Sequence, residues 1–142
     1  MSKPLAEGQW ILIVEDDLDS AEALAFALER VGYRTRGAAS ATEALLLLDE
    51  RPGLMLLDLH LSDVGGVDLV AAFQASRPLP PVVVISAAPV EVIRSASEAL
   101  GAAAALRKPF SVQSLLDAVR AALDPVASTA TAAPRARRQT RG

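Results

Sequence analysis

Polar residues follow several short apolar runs of the sequence, at the points where those runs stop. Glu15 and Asp16 come directly after WILIV, and Asp58 comes directly after LMLL. Ser86 follows VVVI, and Lys108 follows AAALR. If the runs are parallel strands of one open sheet, their carboxyl ends share the edge at which such sheets bind ligands. We therefore expect these five side chains to converge on one site.

Clustered carboxylates need a cation or a proton, because two like charges about 4 Å apart repel by about 4 kcal/mol at an effective dielectric of about 20. Carboxylate, backbone carbonyl and water oxygens suit a hard octahedral ion, so the pattern favours Mg²⁺, with Mn²⁺ as its substitute. Such a site would serve phosphate chemistry. Lys108, one of two lysines in the chain, would place a compact positive charge near a phosphoryl oxygen, and Ser86 could donate a hydrogen bond to it.

Each of these residues also has a purely structural interpretation. Acidic residues just after a strand, such as Glu15 and Asp16, are often helix caps, and Asp58 could cap a helix or shape a turn. Taken singly, Ser86 fits a turn hydroxyl and Lys108 fits a surface charge. The functional interpretation depends on all five occurring together.

His60 is the only histidine in the chain. An imidazole can bind a metal ion, but zinc-type sites usually combine it with further histidine or cysteine ligands. The sequence therefore favours a surface residue or a residue of the site wall at position 60.

The apolar runs alternate with segments of helical period, which is typical of β-α units around a parallel sheet. We predict five such units and hence an α/β fold. The predicted strands cover residues 10–14, 33–38, 54–57, 82–85 and 103–107. The second alternates in polarity and is expected at a sheet edge, whereas the fifth is assigned from its place in the alternation, because alanine has poor strand propensity. Asp19 with Glu22, and Ser40 with Glu43, resemble capping boxes, and Ser111 is expected to cap the last helix.

Composition limits the possible classes of protein. A chain of 142 residues, 51% hydrophobic and 22% charged, is typical of one compact domain. The absence of cysteine excludes disulfides, thiolate chemistry and cysteine metal sites. No stretch approaches the roughly 20 apolar residues of a membrane helix, and the first residues lack the apolar run of a signal peptide. We expect a cytoplasmic protein without a membrane partner.

The formal net charge of −3 is unevenly distributed. All 17 acidic residues lie at or before Asp124, together with ten of the 14 basic residues. Residues 1–124 therefore carry a formal net charge of −7. The remaining four arginines give residues 125–142 a charge of +4. This tail is rich in Ala, Thr, Pro and Arg and lacks the large apolar residues that would offset the entropy of ordering. We expect a flexible N-terminus over 1–8, a domain over 9–124 and a disordered arginine-rich tail.

Four motifs together resemble the receiver domain of two-component response regulators: ILIVEDD, LMLLDLHLSDVGGVDL, VVVISA and LRKPF. The resemblance spans about residues 9–123 and implies a flavodoxin-like, doubly wound five-stranded parallel sheet with strand order 2-1-3-4-5. It also implies that Asp58 takes a phosphoryl group from the phosphohistidine of a histidine kinase or histidine phosphotransfer protein, or from a small phosphodonor. Glu15, Asp16, Asp58 and the backbone carbonyl of His60 would hold Mg²⁺.

The resemblance also implies roles for the remaining motif residues. Lys108 would pair with the phosphoryl group, Ser86 would turn inward to hydrogen-bond it, and the peptide between Lys108 and Pro109 would be cis. The chain departs from the family at Ala105, because a Tyr or Phe usually stands three residues before the lysine. The usual aromatic rotamer switch is therefore missing.

Our leading hypothesis is a stand-alone receiver in which Mg²⁺-dependent phosphorylation of Asp58 switches the interaction with a separate partner, whose identity the sequence does not give. Self-phosphorylation and autodephosphorylation would be its only chemistry, so no other enzyme activity is expected. The alternative is a phosphorylation-independent, receiver-like protein-binding module, which Ala105 motivates. Binding of nucleic acid by the arginine-rich tail is a third hypothesis, and we do not expect nucleic acid as a partner.

Overall fold

The structure is a computed structural model and describes residues 9–61, 66–76 and 78–124. These residues form five strands that alternate with five helices. The strands are β1 (Ile11–Val14), β2 (Thr35–Ala38), β3 (Leu54–Asp58), β4 (Val82–Ser86) and β5 (Ala104–Arg107). The helices are α1 (Leu18–Arg30), α2 (Ala41–Leu48), α3 (Gly66–Gln74), α4 (Val90–Leu100) and α5 (Val112–Leu123).

The strands form one parallel sheet in the order β2-β1-β3-β4-β5. This confirms the predicted fold class, a doubly wound parallel sheet with strand order 2-1-3-4-5. It also confirms the edge position of the second strand, in which only the last residue, Ala38, is buried. The three central strands are buried along their whole length, as expected where helices cover both faces of a sheet.

Alternate residues of the central strands pack into two separate apolar layers, because successive side chains of a strand point to opposite faces. On one face, residues such as Leu12, Met55 and Val84 pack with α2, α3 and α4. On the other face, Ile13 and Leu56 pack with α1 and α5. A continuous apolar run such as ILIV is therefore what a central strand of this sheet requires.

The fifth strand, assigned from alternation alone, is present at the other edge of the sheet. It pairs with β4 from Ala104 to Arg107, although its residues are only half-buried or exposed. Pairing with a buried neighbour thus compensates for the poor strand propensity of alanine at this position.

The structure confirms two of the three predicted N-terminal helix caps. The side chains of Ser40 and Ser111 accept hydrogen bonds from the third residue beyond them, as predicted. The prediction for the first helix was wrong, because Asp17 rather than Asp19 is the cap. Asp17 accepts a hydrogen bond from the Ser20 amide, and α1 begins at Leu18. Asp19 lies within the first turn, where its negative charge is favourable next to the helix dipole.

Some predictions concern residues outside the described ranges. The flexible N-terminus over 1–8 and the disordered tail over 125–142 belong to this group. Within the described ranges, none of the helices has both the length and the apolarity needed to span a bilayer.

Candidate functional site

The ends of the central strands bring the predicted polar residues to one edge of the sheet. In the parallel register, Val14 of β1 lies beside Leu57 of β3, so Glu15 and Asp58 follow at the same level. The β4 to β5 pairing places Ser86 beside Arg107, and Lys108 follows directly. Side chains that are far apart in the sequence therefore meet because the strands are parallel and in this register.

The centre of the site is an ion-paired triad formed by Lys108, Glu15 and Asp58. The ammonium nitrogen Nζ of Lys108 donates to Asp58 Oδ2 at 2.9 Å and to Glu15 Oε1 at 3.0 Å. Both acidic residues are only 3% exposed, whereas the side chain of Lys108 is 29% exposed. The lysine thus approaches two buried carboxylates from the solvent side and compensates their charge.

Backbone amides hold the second oxygen of each carboxylate. Asp58 Oδ1 accepts from the His60 amide at 2.9 Å, and Glu15 Oε2 accepts from the Asp17 amide at 3.1 Å. The Lys108 amide in turn donates to the backbone oxygen of Ser86 at 2.8 Å, which fixes the start of the lysine turn against β4. The orientation of the triad is therefore set by main-chain groups as well as by charge.

Burial and neighbouring charges shift the pKa values of two of these groups. Burial, together with the hydrogen bond to the Asp58 carboxyl, raises the pKa of Glu15 above its ordinary value. For Lys108, burial alone would lower the pKa, but the hydrogen bonds and charges of Asp58 and Glu15 outweigh it, and the net pKa is raised. Lys108 therefore carries a positive charge at neutral pH.

The donor chemistry at this edge fits a hard divalent cation. Glu15 and Asp58 offer buried carboxylate oxygens, and half-buried Asp16 lies in the chain between Glu15 and the solvent-exposed Asp17. Within the described residues, the structure does not assemble three or more acidic, histidine or cysteine side chains into a metal cluster. Mg²⁺ does not require such a cluster, since it commonly takes one or two protein carboxylates and completes its shell with water and phosphoryl oxygens.

Ser86 ends β4 and is fully buried. Its hydroxyl oxygen accepts a hydrogen bond from the Ala88 amide at 3.0 Å, so it holds the start of the loop between β4 and α4. The peptide bond between Lys108 and Pro109 is cis, as the family resemblance implied.

Ala105 and His60 lie at the walls of two grooves. Ala105 is exposed and lines a groove of about 560 Å³ between α4 and β5. His60, which is also exposed, lines a second groove of about 950 Å³ between α3 and α4. The absence of an aromatic residue at 105 thus coincides with open space beside β5.

Sequence reasoning missed Arg107, the residue directly before the site lysine. Its Nε donates to the backbone oxygen of Ala88 at 3.2 Å, across the sheet edge from β5 to the loop after β4. Its position next to Lys108 could have indicated a role near the site. An arginine on an exposed edge strand, however, is usually an ordinary surface charge.

The chain is similar to one family of known proteins. The family model described as response regulator receiver domain matches residues 11–120. Among curated proteins, the DNA-binding response regulator MtrA of Mycobacterium tuberculosis strain H37Rv is 35% identical over 117 residues, which are 81% of this chain and 50% of that protein. The chain therefore spans about half the length of the curated relatives it matches.

Solved structures agree with the family model. A CheY-like receiver domain protein from Methanospirillum hungatei is 30% identical, with a TM-score of 0.73, over 82% of this chain and 94% of that one. A response regulator from Burkholderia pseudomallei, solved with a phosphorylated aspartic acid, calcium ion and citrate, is 33% identical. Its TM-score is 0.69, over 87% of this chain and 71% of that one.

Proposed function

The chain belongs to the response regulator receiver domain family of two-component signalling, and from this premise we propose that Asp58 is its phosphoacceptor. The observation that carries the proposal is the triad, in which a buried aspartate at the end of a strand lies 2.9 Å from a lysine ammonium. The donor would be a phosphohistidine of a histidine kinase or of a histidine phosphotransfer protein, or a small acyl phosphate.

In the proposed reaction, a carboxylate oxygen of Asp58 attacks the phosphorus atom and forms an acyl phosphate. The bond between phosphorus and the donor's imidazole nitrogen breaks, its electron pair stays on that nitrogen, and the nitrogen takes up a proton. Phosphoryl transfer depends mainly on positioning and on neutralising the charge of the phosphoryl oxygens. Lys108 supplies a compact positive charge beside the reacting oxygen, and its turn is fixed by the hydrogen bond to the Ser86 backbone.

A divalent cation fits the same proposal. Glu15, Asp16, Asp58 and the backbone carbonyl of His60 would hold Mg²⁺, or Mn²⁺ in its place. When bound, the ion supplies further neutralisation of phosphoryl charge. The solved B. pseudomallei relative contains a calcium ion together with its phosphorylated aspartic acid, which supports divalent binding in the family.

The experiment is incubation with Mg²⁺ and acetyl phosphate, followed by intact mass measurement. We expect one added phosphoryl group on the wild type and none on Asp58→Asn. Asp19→Asn, which changes an exposed aspartate near the same sheet edge, is the matched control and should be labelled like the wild type. Equal labelling of Asp58→Asn, or an unlabelled wild type, would contradict the proposal.

Phosphorylation would act as a switch through Ser86. The added phosphoryl oxygens are strong acceptors, and the Ser86 hydroxyl can donate to one of them. Its present partner is the Ala88 amide, so the loop before α4 responds when the hydroxyl turns. Receiver domains are phosphoacceptors rather than conventional enzymes, and we propose autodephosphorylation as the one further reaction, measured as loss of the added mass with time.

The alternative function, a phosphorylation-independent binding module, is motivated by exposed Ala105 and the groove beside it. The two functions predict different results for Asp58→Ala in a binding assay with a candidate partner. Full binding without any response to acetyl phosphate would favour the alternative. A response of the wild type that Asp58→Ala loses would favour the switch.

The expectation that nucleic acid is not a partner is not supported by the curated relatives, because MtrA is named a DNA-binding response regulator. DNA binding by this chain is therefore tested directly, by anisotropy with labelled duplex DNA across a salt series. Binding that weakens steeply with salt and disappears on deletion of residues 125–142 would assign it to the arginine-rich tail. The domain is proposed to extend over residues 9–124.

A further inference from the structure

The peptide groups of Ala88 are held on both sides by side chains of neighbouring strands. The Ala88 amide donates to Ser86 Oγ at 3.0 Å, and the Ala88 carbonyl accepts from Arg107 Nε at 3.2 Å. Ala88 itself is 8% exposed. One buried residue thus connects a hydroxyl of the proposed phosphoryl site with a guanidinium of β5.

Arg107 also belongs to the groove between α4 and β5. It lies beside Ser86 in the pairing of β4 with β5, and it is exposed on the same side of β5 as Ala105. Both residues line the groove of about 560 Å³ whose opposite wall is α4. A displacement of the Arg107 side chain therefore changes the shape of this groove.

We propose that Arg107 is a positioning residue that couples the Ser86 hydroxyl to the groove between α4 and β5. This inference rests on the proposed function, in which Ser86 turns towards a phosphoryl group on Asp58. Ala88 then loses the acceptor of its amide, and an amide left without an acceptor in a buried place is costly. The backbone of Ala88 moves to a new partner, and its carbonyl carries the Arg107 guanidinium with it.

The structure offers a matched pair of substitutions at this position. Glutamine carries its amide nitrogen the same number of bonds from Cα as arginine carries Nε, so Arg107→Gln keeps a donor for Ala88 and loses the charge. Arg107→Met keeps an unbranched stem of similar length and has no donor. Comparing these two variants therefore separates the effect of the hydrogen bond to Ala88 from the effects of charge and of side-chain bulk.

The readout is the change in amide chemical shifts of Val90, Ser97 and Ala102 around the groove when acetyl phosphate and Mg²⁺ are added in excess. We expect the wild type and Arg107→Gln to give similar changes, and Arg107→Met to lose most of these changes, because the Ala88 carbonyl then has no side-chain donor at position 107. The phosphoryl mass added to Asp58 should be equal in all three. Arg94→Met removes the other arginine of the same groove, which pairs with Glu98, and should respond like the wild type.

Several results would overturn the inference while leaving the proposed function intact. One is a full groove response in Arg107→Met, and another is an equal loss in Arg107→Met and Arg94→Met. A loss in Arg107→Gln as large as in Arg107→Met would assign the effect to charge rather than to the Ala88 contact. If the wild type gains no phosphoryl mass, the proposed function itself fails.

Thermal midpoints measured on every variant show whether a lost response reflects unfolding. If Arg107→Met is unfolded, Arg107→Ala replaces it as the variant without a donor.

Discussion

The ammonium of Lys108 lies 2.9 Å from Oδ2 of Asp58, although 50 positions separate the two residues in the chain. The aspartate is buried, and the lysine reaches it from a turn that is partly open to solvent. A buried carboxylate without a partner would be strongly unfavourable, so the lysine compensates the burial of this aspartate in the folded protein. The contact therefore places a positive charge directly beside the proposed phosphoacceptor.

Replacing Lys108 with methionine should destabilise the protein at neutral pH. The substitution leaves Glu15 and Asp58 buried beside each other with no cation between them. Removing one member of a buried ion pair usually costs about 3 to 5 kcal/mol, and because Lys108 is partly exposed we expect about 2 kcal/mol. Urea unfolding provides the measurement.

Arg120→Met is the matched control, since Arg120 pairs with Asp117 on the exposed side of α5. Surface pairs of this kind contribute about 0 to 1 kcal/mol. Equal losses in Lys108→Met and Arg120→Met would contradict the structural role assigned to the triad.

Glu15→Gln should change how stability depends on pH. The pKa of Glu15 is raised in the folded protein, so the native state holds this proton more tightly than the unfolded state does. The corresponding stabilisation is complete below the ordinary value of 4.5 and is lost as the pH rises through the raised pKa. Glutamine has no proton to lose, so the free energy of unfolding of Glu15→Gln relative to the wild type should increase across this window and then level off.

The change in this difference between acid and neutral pH is the quantity to measure, because its size reports how far the folded-state pKa of Glu15 lies above 4.5. Glu22→Gln, on the exposed side of α1, provides the control and should follow the wild type. A constant difference between Glu15→Gln and the wild type from pH 4 to pH 8 (roughly the window in which a raised carboxyl titrates) would contradict the assignment.

Asp16→Asn should weaken Mg²⁺ binding by at least about tenfold, since even residues that only orient metal ligands commonly contribute tenfold or more. Calorimetric titration with Mg²⁺ measures the affinity without any phosphodonor. Asp19→Asn provides a control of the same chemistry outside the site. Unchanged affinity in Asp16→Asn would remove this residue from the proposed ligand set.

The choice between Asp17 and Asp19 as the cap of α1 is tested by two alanine substitutions. Asp17→Ala removes the acceptor for the Ser20 amide, whereas Asp19→Ala removes only a favourable charge from the first turn. Thermal unfolding should show a larger loss for Asp17→Ala. The hydrogen bond to Ser20 also holds the pKa of Asp17 below its ordinary value, so the stabilisation from this cap is present above the ordinary pKa and is lost as the pH falls through the lowered one. The opposite ranking of the two variants would support the original capping prediction.

The main features of the fold were predictable because they depend on local pattern. Uninterrupted apolar runs such as ILIV and VVVI indicate strands buried on both faces, and polar residues at their ends indicate the functional edge. The starting cap of α1 was less predictable. Asp17 and Asp19 are only two positions apart and both suit a helix start, so local preferences do not decide between them. In the structure, Asp17 has an extended backbone and its side chain accepts from the Ser20 amide, which makes it the cap.

Arg107 could not be identified in the same way, because nothing in its immediate sequence distinguishes it from a surface arginine. Its role in the structure depends on the distance from β5 to the loop after β4, which the pairing of Ser86 with Arg107 sets. The groove beside Ala105 is likewise a property of two elements packed together.

The sequence by itself determined the α/β class, the places where strands end and the polar residues that stand at those ends, since these follow from the period of apolar residues and the points where it stops. Only the tertiary structure decided that Lys108 joins Glu15 and Asp58, that Asp17 begins α1, and that Arg107 holds Ala88. Such contacts depend on strand register and on the reach of each side chain across the sheet edge. Those distances arise when the whole sheet and its helices pack together, and no local stretch of sequence contains them.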